Sequence, residues 1–119
     1  MRTLLFVTAS ALALAADGGS LDGDWLIQRS AAGNQSEQTC SLSQLGKVLT
    51  GSCKSEAGTV EIKGKVDGKS VTWTYKGDSA GGVVTVVYEG TIESDAKIIG
   101  KVTAVEFSIE GEFTATRTK

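Results

Sequence analysis

The chain has 119 residues, a formal net charge of −2, 15 glycines and two cysteines, and it contains neither histidine nor proline. One domain is expected at this length. Its scattered Lys and Arg residues do not form the clustered basic footprint of a nucleic-acid binder, and the lack of histidine removes the usual general base and the commonest metal ligand.

The first residues read as an export signal. Met1-Arg2 is a short cationic start, Leu4 to Leu14 an apolar run, and Ala13-Leu14-Ala15 a small-residue cleavage pattern. The run falls short of the roughly 20 residues that span a bilayer. Residues 1–15 are therefore expected to be removed, with no membrane insertion afterwards. The mature protein is expected in the periplasm or outside the cell, where thiols oxidise to disulfides. Residues 16–22 follow as a polar, flexible lead-in.

Gly23–Arg29 is the first predicted strand, with Trp25 and Ile27 on one face. Ala31–Gln35 reads as a loop. The next two strands fold back about Gly46-Lys47, because a II′ turn needs φ > 0 at its first central position. Leu42 then faces Gly51, and Cys40 faces Cys53. That pair falls at a non-hydrogen-bonded site, where Cα atoms lie about 4.5 Å apart, inside the roughly 4.4–6.8 Å window of a disulfide. Cys40, Leu42, Leu49, Gly51 and Cys53 share the face expected to be buried.

Val60, Ile62, Gly64 and Val66 alternate with Glu61, Lys63 and Lys65, the period-two pattern of a half-buried strand. Asp67-Gly68 reads as a type I′ turn. Pairing about it sets Val66 against Lys69, Gly64 against Val71, Ile62 against Trp73 and Val60 against Tyr75. Gly77–Gly82 reads as a loop. Val84, Val86, Tyr88, Gly90 and Ile92 form the next inward row, and Ser94-Asp95-Ala96 turns the chain. Folding there sets Ile92 against Ile98, Gly90 against Gly100, Tyr88 against Val102 and Val86 against Ala104. The last strand presents Phe107, Ile109, Gly111, Phe113, Ala115 and Arg117 inward.

No stretch has sustained helical periodicity. Eight short strands joined by short turns predict an all-β, eight-stranded up-and-down antiparallel barrel over residues 23–119, since closure removes the sheet edges that invite aggregation. Such a barrel is either just filled by side chains or holds one small ligand. The inward glycines Gly51, Gly64, Gly90, Gly100 and Gly111 are expected to mark curvature and close packing.

Gly23-Asp24-Trp25 on the first strand and Arg117 near the end of the last resemble the calycin superfamily, the lipocalin and avidin-like barrels. The resemblance implies that Trp25 packs at the barrel floor and that Arg117 lies across its ring. The rhythm Leu49-Thr50-Gly51, Gly64 to Lys69, Tyr88 to Ile92 and Gly111 to Arg117 is similar to small bacterial lipocalin-like domains, a likeness that runs through nearly the whole mature chain. Periplasmic inhibitors of secreted zinc metalloproteases form a second, less similar group, in which the N-terminal segment enters the protease cleft. Here Ala16–Asp22 would take that role, although Cys53 sits closer to Cys40 than that group implies. The avidin likeness is weaker still, because a biotin site needs more tryptophans than Trp25 and Trp73.

No nucleophile–base pair, metal-ligand cluster or cofactor motif presents itself, so the expectation is a non-enzymatic protein with no cofactor. Glu61, Glu89, Glu93, Glu110 and Glu112 fall on outward positions, where charged side chains stay solvated. The leading functional expectation is a small apolar or aromatic ligand held at the barrel mouth. Trp73, Tyr75, Tyr88, Phe107 and Phe113 are its candidate walls. The alternative is a protein-interaction barrel, such as a protease inhibitor acting through the N-terminal segment and adjacent loops.

Overall fold

The structure, a computed structural model, describes residues 20–56, 58–79 and 82–118. The expected export signal and the first part of the lead-in lie outside the described residues. Eight strands form a closed barrel in chain order: β1 (Gly23–Ala31), β2 (Asn34–Leu45), β3 (Val48–Ser55), β4 (Gly58–Asp67), β5 (Ser70–Ser79), β6 (Gly82–Ser94), β7 (Lys97–Ala104) and β8 (Ile109–Arg117). Every neighbouring pair is antiparallel, and β8 returns to β1 with Trp25 opposite Arg117 and Ile27 opposite Ala115. The expected up-and-down barrel is the observed architecture.

Period-two alternation accounts for the core. Trp25, Ile27, Cys40, Leu49, Cys53, Trp73, Tyr88, Ile98 and Ala115 are wholly buried, while Glu61, Lys63, Lys65, Glu89 and Lys101 face solvent. In the β2–β3 hairpin Cys40 pairs with Cys53 about the Gly46-Lys47 turn, with their Cα atoms 4.0 Å apart, and the two sulfurs form a disulfide. The β6–β7 pairing follows the sequence expectation from Ile92/Ile98 to Val86/Ala104.

Four local readings need correction. The β4–β5 turn is centred on Gly68-Lys69, with Asp67 opposite Ser70, Val66 opposite Val71 and Gly64 opposite Trp73. Moving a turn by one residue moves each partner by two, so inward residues stay inward while their neighbours change. A large-against-small fit accompanies the shift. A Cβ on Gly64 would sit 1.9 Å from the Thr72 carbonyl oxygen and 2.7 Å from Trp73 Cα. A glycine is thus what lets the chain approach so closely beneath Trp73.

The Ala31–Gln35 loop is instead a two-residue turn, Ala32-Gly33, with Ala31 paired to Asn34. Both central residues have positive φ, 53° and 82°, as a I′ turn requires. The expected loop at 77–82 is largely strand, since Gly77 pairs with Val84, Asp78 with Val83 and Ser79 with Gly82. Phe107 does not continue the inward row of β8. Ala104 and Ile109 are already cross-strand partners, so residues 105–108 must turn the chain. They do so as a 3₁₀ turn (Val105–Phe107), closed by Ser108 at φ 53°. Phe107 is left 45% exposed on that turn.

Candidate functional site

The chain order of the antiparallel strands puts the β1–β2, β3–β4, β5–β6 and β7–β8 connections at one end of the barrel, and the β2–β3, β4–β5 and β6–β7 connections at the other. The second end is closed. Leu21 is buried beneath it, and its carbonyl accepts a 2.9 Å hydrogen bond from Trp25 Nε1. Its N–H donates to Gln44 Oε1 at 2.9 Å, and the Asp22 carboxylate accepts from the Gln44 N–H at 2.6 Å. The Arg117 guanidinium stands 4.6 Å over the Trp25 ring and donates to the carbonyls of Ser20, Asp22 and Asp95. Residues 20–22 of the lead-in, expected to be flexible, are therefore docked across the floor.

The middle of the barrel is filled by three of the aromatic side chains singled out in the sequence. Trp73 stacks on Tyr88 with ring centroids 4.9 Å apart, and Phe113 meets both edge-on at 5.4 and 5.0 Å. Such contacts add about 0.5–1.5 kcal/mol each beyond area burial. The five inward glycines are equally crowded, each leaving a would-be Cβ under 3 Å from a neighbouring atom. Trp73 Nε1 is buried without a hydrogen-bond partner among the described residues.

The open end carries the polar chemistry. β1 places Arg29 on the same face as Trp25 and Ile27, two residues further towards the mouth, and the β1–β2 register sets it opposite Ser36. Its Nε donates to Ser36 Oγ at 3.0 Å, and Nη1 donates to the hydroxyls of Tyr75 at 3.0 Å and Tyr88 at 3.1 Å. The Tyr88 hydroxyl in turn donates to Gln38 Oε1 at 2.9 Å. Gln38, 4% exposed, is the one polar side chain in the buried set among the described residues. Burial raises the pKa of the Tyr88 hydroxyl well above its ordinary value, and the opposing charge of Arg29 does not reverse this. Tyr88 is thus a neutral phenol at physiological pH, serving as hydrogen-bond relay between Arg29 and Gln38.

A cavity of about 170 Å³ opens above this network, lined by Ala31, Val86, Val102, Ala104 and Ile109, with Arg29, Asn34 and Ser36 as its polar side. Two wider recesses, of about 470 and 530 Å³, also border Arg29. They are grooves over outward-facing polar residues such as Gln28, Gln35 and Glu37, and resemble ordinary wall surface. The smaller cavity is the better-formed site, because apolar walls converge there on a few placed polar groups.

Of the candidate wall residues, Trp73, Tyr88 and Phe113 form the packed layer beneath the mouth. Tyr75 is half-buried beside them, its ring 6.3 Å from that of Tyr88. Phe107 lies on the rim turn, apart from the other four. Sequence reasoning missed Arg29 and Gln38. The available clue was parity: each continues an apolar inward row, Trp25-Ile27-Arg29 and Gln38-Cys40-Leu42, where a charged or amide side chain is out of place. No group of three or more His, Cys, Asp or Glu side chains suited to a metal occurs among the described residues.

No family model and no curated protein matches the sequence. Among the solved structures that share the fold are two redesigned β-barrels. One, a redesigned β-barrel designated b11L5F_LGL, superposes with a TM-score of 0.63 at 20% identity, over 83% of this chain and 92% of that one. The other, the redesigned β-barrel mFAP1 bound to DFHBI, gives 0.58 at 18% identity, over 82% of this chain and 94% of that one. The Cys40–Cys53 bridge fits an oxidising environment. No helix among the described residues is long and apolar enough to cross a membrane, which leaves membrane crossing by strands unaddressed.

Proposed function

We propose that the protein is a secreted, non-enzymatic binding module that holds one small apolar or aromatic ligand at the barrel mouth. The observation that carries this reading is the cavity of about 170 Å³ between Val86, Val102, Ala104 and Ile109, set directly above a filled aromatic layer. An apolar cavity of about 150 Å³ accommodates a benzene ring, so one ring is the right scale of occupant. The buried layer below gives the cavity a rigid base, which limits the ordering cost of binding. The mFAP1 barrel, of the same fold, is seen with DFHBI bound, which agrees with the capacity of this architecture for a small molecule. Membership of the calycin superfamily is part of the reading, supported by the Arg117–Trp25 contact at the floor.

A protease-inhibitor role has less support, because Ser20–Asp22 are tied to the floor rather than extended. The test is titration of the mature protein with small neutral and anionic single-ring aromatics, followed by amide chemical shifts. Saturable shifts confined to Val86, Val102, Ala104 and Ile109 are expected. A panel that moves none of these amides at millimolar concentration would sink the proposal.

A further inference from the structure

Resting on the mouth-ligand reading, we infer that the ligand is a small aromatic monocarboxylate, whose anionic group is received by the free Nη2 of the Arg29 guanidinium.

A guanidinium has five N–H donors in a fixed fork. Three are used: Nε on Ser36, and the two of Nη1 on Tyr75 and Tyr88. The remaining two, on Nη2, meet no acceptor among the described residues. Arg29 is half-buried and lines the mouth cavity. Arg29 has no carboxylate within salt-bridge distance among the described residues, where the ion pair found is the exposed Lys47–Asp67. A half-buried cation beside Val86, Val102 and Ile109, without a counter-charge, is an unusual arrangement for a chain of net charge −2. Among the described residues, no carboxylate takes that place.

The surrounding bonds fix the direction of Nη2. Ser36 and the two tyrosines hold the guanidinium plane on two sides, and Tyr88 is itself braced by Gln38. A preorganised charged donor in a partly dehydrated setting binds a carboxylate more strongly than a mobile surface arginine does. Only Nη2 is open, which suits a monoanion. The remaining walls are apolar, which suits a hydrocarbon ring and disfavours a fully hydrated inorganic anion.

The test compares benzoate, its neutral counterpart benzyl alcohol, and inorganic phosphate on the unaltered mature protein, by amide and arginine side-chain chemical shifts. Benzoate is expected to saturate the mouth resonances, with benzyl alcohol and phosphate each weaker by about tenfold or more, the scale of a charge-assisted hydrogen bond. Arg29→Gln is expected to lower benzoate affinity by about the same factor and so to abolish the preference for benzoate over benzyl alcohol. Because the comparison of the three probes needs no variant, it decides the matter even if Arg29→Gln does not fold. Benzyl alcohol binding as well as benzoate overturns the carboxylate assignment and leaves the mouth-ligand reading standing. Phosphate binding as well as benzoate overturns the aromatic part. Failure of both benzoate and benzyl alcohol overturns this inference together with the reading beneath it.

Discussion

The Arg117 guanidinium lies 4.6 Å over the Trp25 ring, joining the last strand to the first across the barrel floor. The same guanidinium donates to the Ser20 and Asp95 carbonyls at 3.0 and 2.7 Å, so one side chain holds the lead-in, the β6–β7 turn and the seam. Arg117→Ala is expected to destabilise the fold by about 1–3 kcal/mol, combining a cation–π contact with charged hydrogen bonds. Arg117→Lys should recover only part of that, since an ammonium cannot cover a ring and serve separate carbonyls at once. Urea midpoints at unchanged slope would measure both.

Cross-linking Cys40 to Cys53, 13 positions apart, restricts the unfolded chain by about 3 kcal/mol in the loop-entropy account. Reduction should lower the thermal midpoint by many degrees without changing the fold. Two free thiols in the unreduced, purified protein would contradict the bridge.

Two glycines of the β4–β5 hairpin should respond differently to alanine. At Gly68, φ is +62° and an added Cβ meets nothing within 4 Å, so Gly68→Ala is expected to cost about 1 kcal/mol of backbone strain. At Gly64 the added atom would strike the Thr72 carbonyl oxygen and the Trp73 backbone. Neither can move without distorting the sheet, and a cost of roughly 3 kcal/mol is expected there. Equal denaturation midpoints for the two variants would contradict the turn and register described for β4–β5.

Glu106 ties the 3₁₀ turn to β6 by accepting from the Thr85 N–H at 2.6 Å and the Thr85 hydroxyl at 2.7 Å. The backbone N–H first, then the hydroxyl, hold its carboxyl below the usual glutamate range. A depressed folded pKa means the tie is fully present above the unfolded value and is lost as pH falls through the folded one. Protection of the Thr85 amide relative to its intrinsic exchange rate should therefore fall on acidification below the usual glutamate range. Glu106→Gln should make Thr85 exchange faster at neutral pH and remove that acid step.

Much of the fold was legible because its determinants are local. Alternation along Val60–Val66, the Gly46-Lys47 turn and the spacing of Cys40 from Cys53 each act within a hairpin. They established inward faces, strand count and the disulfide. The β4–β5 partners were not legible from Asp67-Gly68 alone. A turn centred one residue later keeps the same inward faces, and only the fit of Gly64 beneath Trp73 distinguishes the two pairings. Phe107 was misplaced for a related reason: alternation continues on paper through a stretch where the chain must reverse.

By itself the sequence determined an antiparallel barrel with Trp25, Cys40, Cys53 and Trp73 inside. Period-two patterning and turn residues need only near neighbours to act. The tertiary structure decided that the middle is filled and that the mouth centres on Arg29. That side chain meets Tyr75 and Tyr88 across 46 and 59 positions of chain. Its fork acquires a direction only when β1, β2, β5 and β6 curve into one wall, a geometry set by closure of the whole sheet and by no single segment of it.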